Sequence, residues 1–204
     1  NNLLKSGYQP ERTIYLAFGD DEEVSGLHGA QAIVETLQSR GVQLAFMLDE
    51  GGAVTRGTLY GIDRPVGQVG ISEKGYLSLR LKARVSGGHS ATPPARTAIG
   101  SIGLAIAALE ANPFPQRLDV IQFMMSFVGE ALPFFERMRY ANTWLFGAGL
   151  KRKLAAHPVT NALTRTTTAP TIIKGGSAEN VLPAEAEALI NFRILPGDTV
   201  VDVY

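Results

Sequence analysis

The chain has 204 residues, of which 45% are hydrophobic and 19% charged, and its 19 basic residues balance its 19 acidic ones. This composition is typical of a folded globular protein, and the lack of a basic excess gives no support to nucleic acid or an anionic membrane surface as partner. The absence of cysteine excludes disulfides and thiolate metal sites, and no apolar run approaches the roughly 20 residues of a membrane span.

The first predicted unit alternates strand, helix and strand. Residues 13–18 form an apolar run, typical of a strand buried on both faces of a parallel sheet. Residues 27–40 carry apolar side chains at helical spacing, and Gly41 stands where a C-terminal cap belongs. Residues 44–48 form a second apolar run. Short loops between these elements favour a right-handed parallel β-α-β unit, so we predict an α/β fold here.

Carboxylates follow both of the predicted strands. Residues 20–23 are four consecutive acids, and Asp49 and Glu50 follow the second strand. Open α/β sheets bind ligands at this edge, and adjacent carboxylates resist ionising together unless a cation or hydrogen bonds offset their charge. Most isolated acidic loops are simply solvated. Here the flanking glycines, the second acidic strand end and the lack of lysine in either run favour a shared cation site.

The pattern changes after residue 73. Residues 76–85 alternate apolar and polar side chains, as an antiparallel strand with one wet face does. A largely apolar helix is predicted at about 97–111, with strands at 169–174 and 187–194. A turn then leads into a helix capped by Asp198 or Thr199. This order predicts an α+β split β-α-β layer with helices on one sheet face.

The predicted domains are residues 1–73 and residues 74–196, with the start of a further helix at 197–204. Two segments are weakly patterned. Short strands are expected near 58–61 and 66–71. Residues 118–165 are expected to form short helices whose methionine and aromatic side chains lie in a core or an interface.

Three residues outside the acidic loops are candidates for a functional site, and each also has a simpler structural interpretation. His89 follows two glycines, where a lone histidine is usually structural or on the surface, and no Lys-Ser/Thr follows to indicate a phosphate loop. Asn180 is most simply a turn residue. Arg193 lies at the inward or outward end of an alternating strand, where the simplest interpretation is a surface cation.

Taken in order, the motifs resemble those of the zinc-dependent exopeptidases grouped around carboxypeptidase S, aminoacylase and the acetylornithine or succinyl-diaminopimelate deacylases. The resemblance is closest to the carboxypeptidase S branch, which includes relatives acting on N-fatty-acyl amino acids. Each motif alone is weak, but the ordered set covers essentially the whole chain. Its main members are RTIYLAFG (12–19), DEEV (21–24), LDEGG (48–52), EKG (73–75), GGHS (87–90), NVLP (180–183) and NFRILPGD (191–198).

The resemblance implies metal-dependent hydrolysis of an amide bond next to a free carboxylate, in a small peptide or an N-acyl amino acid. Glu22 would be the general base that activates the attacking water. Glu23 would ligate one zinc ion and Asp49 the other, giving two zinc ions per complete subunit, and cobalt or manganese is compatible with the same ligands.

The resemblance also implies that residues 1–73 are a partial catalytic domain and that residues 74–196 are a lid domain, through which a homodimer forms. His89 would reach across the dimer to stabilise the oxyanion of the partner's reaction intermediate. Asn180 and Arg193 would bind the carbonyl or the terminal carboxylate of the substrate, the arginine with two parallel hydrogen bonds.

The family's remaining metal ligands are expected before residue 1 and after residue 204, so we expect an internal fragment that alone binds zinc poorly and is inactive. Two alternatives stay open. One is a non-catalytic dimerisation or binding module with an incomplete metal site, and the other is a structural interaction domain with a solvated acidic loop. Cytoplasmic, vacuolar and secreted locations are all compatible with the sequence.

Overall fold

The structure, a computed structural model, describes residues 2–24, 26–56 and 62–204. Two compact units divide between Glu50 and Gly51; the boundary at residue 73 stays a prediction. The helices are α1 (Asn2–Lys5), α2 (Ala30–Ser39), α3 (Ala98–Ala111), α4 (Asp119–Val128), α5 (Phe134–Ala141), α6 (Thr143–Ala155), α7 (Pro158–Ala162) and α8 (Val200–Val203), with 3₁₀ turns at Glu22–Val24 and Gly129–Ala131. The strands are β1 (Val54–Arg56), β2 (Pro65–Gly67), β3 (Gly75–Arg84), β4 (Gly88–His89), β5 (Thr167–Gly175), β6 (Val181–Leu182) and β7 (Glu185–Ile194).

In the first unit, the two apolar runs predicted as parallel strands form no strand. Residues 13–18 and 44–48 have no regular structure, and their large side chains are exposed, with Phe18 at 85% and Phe46 at 81%. The prediction of a β-α-β unit is therefore wrong for the described residues 2–24 and 26–50. A parallel strand takes its hydrogen bonds from neighbouring strands, and an apolar run does not itself specify those neighbours.

Helix α2 of the first unit confirms the predicted helix and its C-terminal cap. Gly41 adopts φ +66° directly after the helix. Its N–H donates to the Gln38 carbonyl at 2.9 Å, and the Val42 N–H donates to the Leu37 carbonyl at 3.0 Å. These two bonds form a Schellman motif, which satisfies carbonyls that the end of a helix leaves free.

The second unit contains a three-stranded antiparallel sheet in the order β3-β7-β5. Because β7 runs antiparallel to both neighbours, β3 and β5 are parallel to each other, and α3 to α7 lie between them in the chain. This is the predicted split β-α-β arrangement. The mixed α/β fold class is thereby confirmed.

Alternation along the strands decides which sheet face is covered. On β7, every second residue is buried, namely Ala186, Ala188, Ile190, Phe192 and Ile194. The alternating apolar residues of β3 pack against the same core, as do Ala98 and Ile102 of α3. Thr97 caps α3 by accepting the Gly100 N–H at 3.0 Å. Each large apolar side chain buried here stabilises the unit by about 1.5–3 kcal/mol, and the opposite sheet face stays polar.

A second core lies among α4 to α6 and includes Ile121, Met125, Leu150 and Leu154. The methionine and aromatic side chains predicted to lie in a core or an interface therefore differ in burial. Met125 is buried, but the large aromatic side chains Phe127, Phe134, Phe135 and Trp144 are exposed. In the described ranges, no helix is both long and apolar enough to span a membrane.

Smaller elements complete the second unit. The strand predicted near 66–71 is shorter and earlier, as β2, and it pairs with β1 in antiparallel fashion. The strand predicted near 58–61 lies outside the described residues. Thr199, rather than Asp198, caps α8: its hydroxyl accepts the Asp202 N–H at 3.4 Å, and the Asp202 carboxylate accepts the Thr199 N–H at 2.7 Å.

Candidate functional site

Of the four acids in the loop, Asp21 holds the backbone and the other three are exposed. Asp21 accepts hydrogen bonds from the N–H groups of His28 at 2.7 Å and Gly29 at 2.9 Å, just before α2. Glu22 and Glu23 lie on the 3₁₀ turn, are exposed, and have no hydrogen bond or ion pair with another described residue. The loop therefore leaves these two carboxylates free for a ligand.

Asp49 is also exposed, and its Oδ1 accepts the N–H of the adjacent Glu50 at 2.8 Å. Within the described ranges, no group of three or more histidine, aspartate or glutamate side chains lies close enough to hold a metal ion. Glu23 and Asp49 have the donor chemistry that zinc accepts, but a zinc centre requires at least three protein ligands. The described residues do not by themselves fit a zinc site.

In the second unit, strands β4 and β6 bring His89 and Asn180 together. His89 pairs with Val181 in the strand register, and the Ser90 N–H donates to the Asn180 carbonyl at 3.0 Å. The Asn180 side chain is exposed and has no partner in the part of the chain that the structure describes. Two of the predicted site residues, far apart in sequence, therefore lie on neighbouring backbone segments.

A local hydrogen bond fixes which nitrogen of His89 is available. Nδ1 accepts the Ala91 N–H at 3.1 Å. A ring nitrogen that accepts a hydrogen bond carries no proton, so the proton of the neutral imidazole lies on Nε2. The exposed ring can therefore present an N–H donor to a developing negative charge.

The glycine before this strand is required by close packing. A Cβ at Gly87 would lie 3.0 Å from the Leu182 carbonyl oxygen and 3.4 Å from the Ala184 Cβ. Because the first neighbour is backbone, it cannot swing away as a side chain would. Gly87 thus allows the approach of the two segments that places His89 beside Asn180.

Arg193 is the second-last residue of β7, and its side chain lies on the polar face of the sheet. It is directly opposite Tyr76 on β3 and Thr167 on β5, and its guanidinium carbon lies 4.8 Å from the centre of the Tyr76 ring. Arg193 is exposed and forms no ion pair with any described carboxylate. At the other end of the same face, cations and acids pair across the strands at 2.6–3.8 Å, through Arg80, Lys82, Arg84, Glu185 and Glu187.

Lys74, which the sequence motif contains but to which no role was assigned, supports this end of the sheet. Its ammonium donates to the Arg165 carbonyl at 2.7 Å. Burial lowers the pKa of Lys74; Asp198 opposes this shift, and the nearby positive charge of Arg193 adds to it. Lys74 comes two residues before Tyr76, which is paired with Arg193, so both cations belong to this end of the sheet.

Comparison with known proteins identifies one family domain and several relatives. Residues 71–203 match the peptidase dimerisation domain M20_dimer. The chain is 46% identical over 203 residues to the N-fatty-acyl-amino acid synthase/hydrolase PM20D1 of Xenopus tropicalis, covering 98% of this chain and 40% of that protein. It is 41% identical to the Mus musculus protein of the same name over 203 residues, again 98% of this chain and 40% of the relative.

A third relative is a probable carboxypeptidase S-like 2 of Dictyostelium discoideum, 39% identical over 204 residues, which are 99% of this chain and 39% of that protein. The chain thus spans about 40% of the length of the curated relatives that it matches. No solved structure matches it significantly. The match over most of the second unit confirms the resemblance seen in the motifs: the chain belongs to the M20 peptidase family.

Proposed function

We propose that the full-length protein hydrolyses an amide bond adjacent to a free carboxylate, in a small peptide or an N-acyl amino acid. The observation that carries the proposal is Arg193, an exposed guanidinium with no carboxylate partner among the described residues. A carboxylate-bearing substrate fits this cation through two parallel hydrogen bonds. The names of the relatives, an N-fatty-acyl-amino acid synthase/hydrolase and a probable carboxypeptidase S-like protein, support the same substrate chemistry.

Glu22 is the proposed general base. Its carboxylate is exposed and free of described partners, whereas Asp21 is committed to the backbone before α2. Glu22 takes a proton from the attacking water as the water oxygen bonds to the amide carbon, and it returns the proton to the amine when the C–N bond breaks. Zinc is the proposed cofactor, with two ions per complete subunit: Glu23 would ligate one and Asp49 the other, and the remaining ligands would come from outside the described residues.

His89 and Asn180 are proposed to act on the substrate carbonyl. The Nε2–H of His89 would donate to the carbonyl oxygen that becomes negative during the reaction. The exposed side-chain amide of Asn180, which directly precedes β6 and lies beside the His89 segment, would bind the same carbonyl or the terminal carboxylate.

We propose that the protein is a homodimer formed through its peptidase dimerisation domain, residues 71–203. His89 of one subunit then serves the site of its partner. The lid domain predicted from the sequence, residues 74–196, lies within this dimerisation domain, and its role as a lid is also proposed.

The test uses two variants of the full-length protein, Glu22→Gln and His89→Ala, assayed alone and after their subunits are mixed. Glu22→Gln alone should lower kcat by roughly 10²–10⁴-fold, the range for loss of a general base. Glu11→Gln, the same change at another exposed carboxylate, is the control and should keep full activity.

Mixing the two inactive variants distinguishes action across the dimer from action within one subunit. Half of randomly formed dimers carry one subunit of each kind, and one of their two sites then has both Glu22 and a partner His89. Activity should therefore recover to about a quarter of wild type in a two-fold symmetric dimer. Full activity of Glu22→Gln would refute the hydrolytic proposal. Two inactive variants that do not recover on mixing would refute the placement of His89.

A further inference from the structure

Tyr76 and Arg193 form a stacked pair on the polar face of the sheet. They are directly opposite each other on the antiparallel strands β3 and β7, and the guanidinium carbon lies 4.8 Å from the ring centre. Tyr76 is 65% exposed, so burial of the ring does not explain its position. The contact is a cation–π interaction between side chains whose positions the strand register fixes.

Stacking orients a guanidinium without using its hydrogen bonds. The guanidinium carbon of Arg193 lies over the Tyr76 ring, and this contact uses none of the N–H groups that bind a carboxylate. An acidic partner would instead occupy those N–H groups, as Glu185 does with the Nε of Arg84 at 2.6 Å. Tyr76 therefore restricts the motion of Arg193 and leaves its N–H groups free for an incoming carboxylate.

The electrostatic surroundings of the pair favour an anion. The Lys74 ammonium is close enough to Arg193 for its pKa to be affected by that charge, and its own hydrogen bond goes to the neutral Arg165 carbonyl. Asp198, the acid that also influences Lys74, is paired with Arg117 at 2.8 Å. Two cations, Arg193 and Lys74, thus lie at this end of the sheet, and the acid that acts on Lys74 is also paired with Arg117.

We propose that Tyr76 is a positioning residue that holds the Arg193 guanidinium over its ring, with the N–H groups left free for the carboxylate of the substrate. The inference rests on the proposed function, because it assumes that Arg193 binds that carboxylate. It goes beyond that function in assigning the preference for a free carboxylate to a pair of residues rather than to the arginine alone.

The experiment compares Tyr76→Leu with Tyr76→Phe in the full-length enzyme, using an N-acyl amino acid and the matching amide in which the carboxylate is replaced by a carboxamide. Tyr76→Leu should raise KM for the carboxylate substrate about two- to five-fold, the range for an exposed cation–π contact, with kcat unchanged. Hydrolysis of the carboxamide should not change. Tyr76→Phe retains an aromatic face and should behave as wild type.

Arg193→Ala separates failure of this inference from failure of the proposed function. If Arg193→Ala leaves the preference for the carboxylate substrate intact, the proposed role of Arg193 is wrong, and the inference falls with it. If Arg193→Ala abolishes the preference but Tyr76→Leu does not weaken it, only the positioning role is wrong. Tyr76→Leu should also have no further effect in the Arg193→Ala background, because the two residues act as one unit.

Discussion

The polar face of the three-stranded sheet has two ends with opposite electrostatic character. At the paired end, cations and acids on β3 and β7 neutralise one another, and its members are Arg80, Lys82, Arg84, Glu185 and Glu187. At the open end, Arg193 stacks on Tyr76 and forms no ion pair with any described acid. Both ends are built on the same two strands and are exposed, so neither burial nor fold class explains the difference.

The difference indicates which charges serve the fold and which are available for a ligand. Exposed ion pairs add little to stability, but opposite charges facing each other across strands favour one register over its alternatives. The paired end meets this description, with Lys82 opposite Glu187 and Arg84 opposite Glu185. The open end has an aromatic ring where the paired end has a carboxylate, so its cation remains available to an anion from outside.

The largest expected effect comes from making the open end resemble the paired end. Thr167 lies directly opposite Arg193 on β5, so Thr167→Glu places a carboxylate beside the guanidinium. This carboxylate should compete with that of the substrate and raise KM by roughly 10- to 100-fold, since hydrogen bonds to charged groups contribute about 1.5–3 kcal/mol. Steady-state kinetics on the full-length enzyme measures the change.

Thr167→Gln is the matched control, because it adds a side chain of the same length without the charge. It should change KM by less than about two-fold if the effect of glutamate is electrostatic. Equal losses in the two variants would mean that bulk at position 167, rather than pairing of Arg193, obstructs the substrate. High salt should partly restore binding to the glutamate variant, because the interaction is exposed.

The sequence predicted the elements of the sheet because their signal is local. Alternating side chains identified β3 and β7, and a largely apolar run ended by Asn112-Pro113 identified α3. The apolar runs at 13–18 and 44–48 carry a signal of equal strength but form no strand. A half-buried strand shows its face in its own residues, whereas a parallel strand buried on both faces depends on neighbours that periodicity does not identify.

The candidate site was less predictable than the fold, because its geometry depends on register. The sequence left open whether Arg193 points inward or outward, and the structure places it on the polar face, between the buried Phe192 and Ile194 and opposite Tyr76. The proximity of His89 and Asn180 comes from the short β4–β6 pair, which no sequence pattern indicated. The roles of Glu22, Glu23 and Asp49, which came from resemblance alone, remain predictions.

An effect of intermediate size, on stability, is expected at the pair between Asp198 and Arg117, which lies near the open end but is more buried. Asp198 accepts hydrogen bonds from Arg117 at 2.8 Å and from the Thr166 hydroxyl at 2.6 Å, and Thr166 is 1% exposed. Asp198→Asn removes the charge that neutralises Arg117 without changing the shape of the side chain. It should lower the free energy of unfolding by about 2 kcal/mol, measured by urea denaturation.

Asp63→Asn is the control for this prediction. Asp63 pairs with Arg56 at 3.4 Å, and both side chains are largely exposed, at 88% and 70%. The same chemical change should therefore have almost no effect on stability. If both variants lose equal stability, partial burial does not strengthen the Asp198 pair.

The smallest effect is expected at the paired end, as a pH dependence of stability. The hydrogen bond from Arg84 lowers the pKa of Glu185, and the charge of Lys82 adds to the shift. The folded chain therefore binds fewer protons than the unfolded chain between the two pKa values, so the free energy of unfolding falls as pH decreases through that window. The contribution of Glu185 is complete above its unfolded pKa of roughly 4.3 and is lost below its folded pKa.

Glu185→Gln should therefore be slightly less stable than the wild type at neutral pH and low salt, and the difference should shrink as the pH falls below about 4.3 or as salt screens the pair. Denaturation curves over a range of pH measure this difference directly. Arg193→Ala should show no comparable pH-dependent difference, because no described carboxylate pairs with Arg193. A similar acid-dependent difference for both variants would mean that Arg193 has a carboxylate partner after all, and the two ends of the sheet would no longer differ in the way that makes Arg193 available to a substrate.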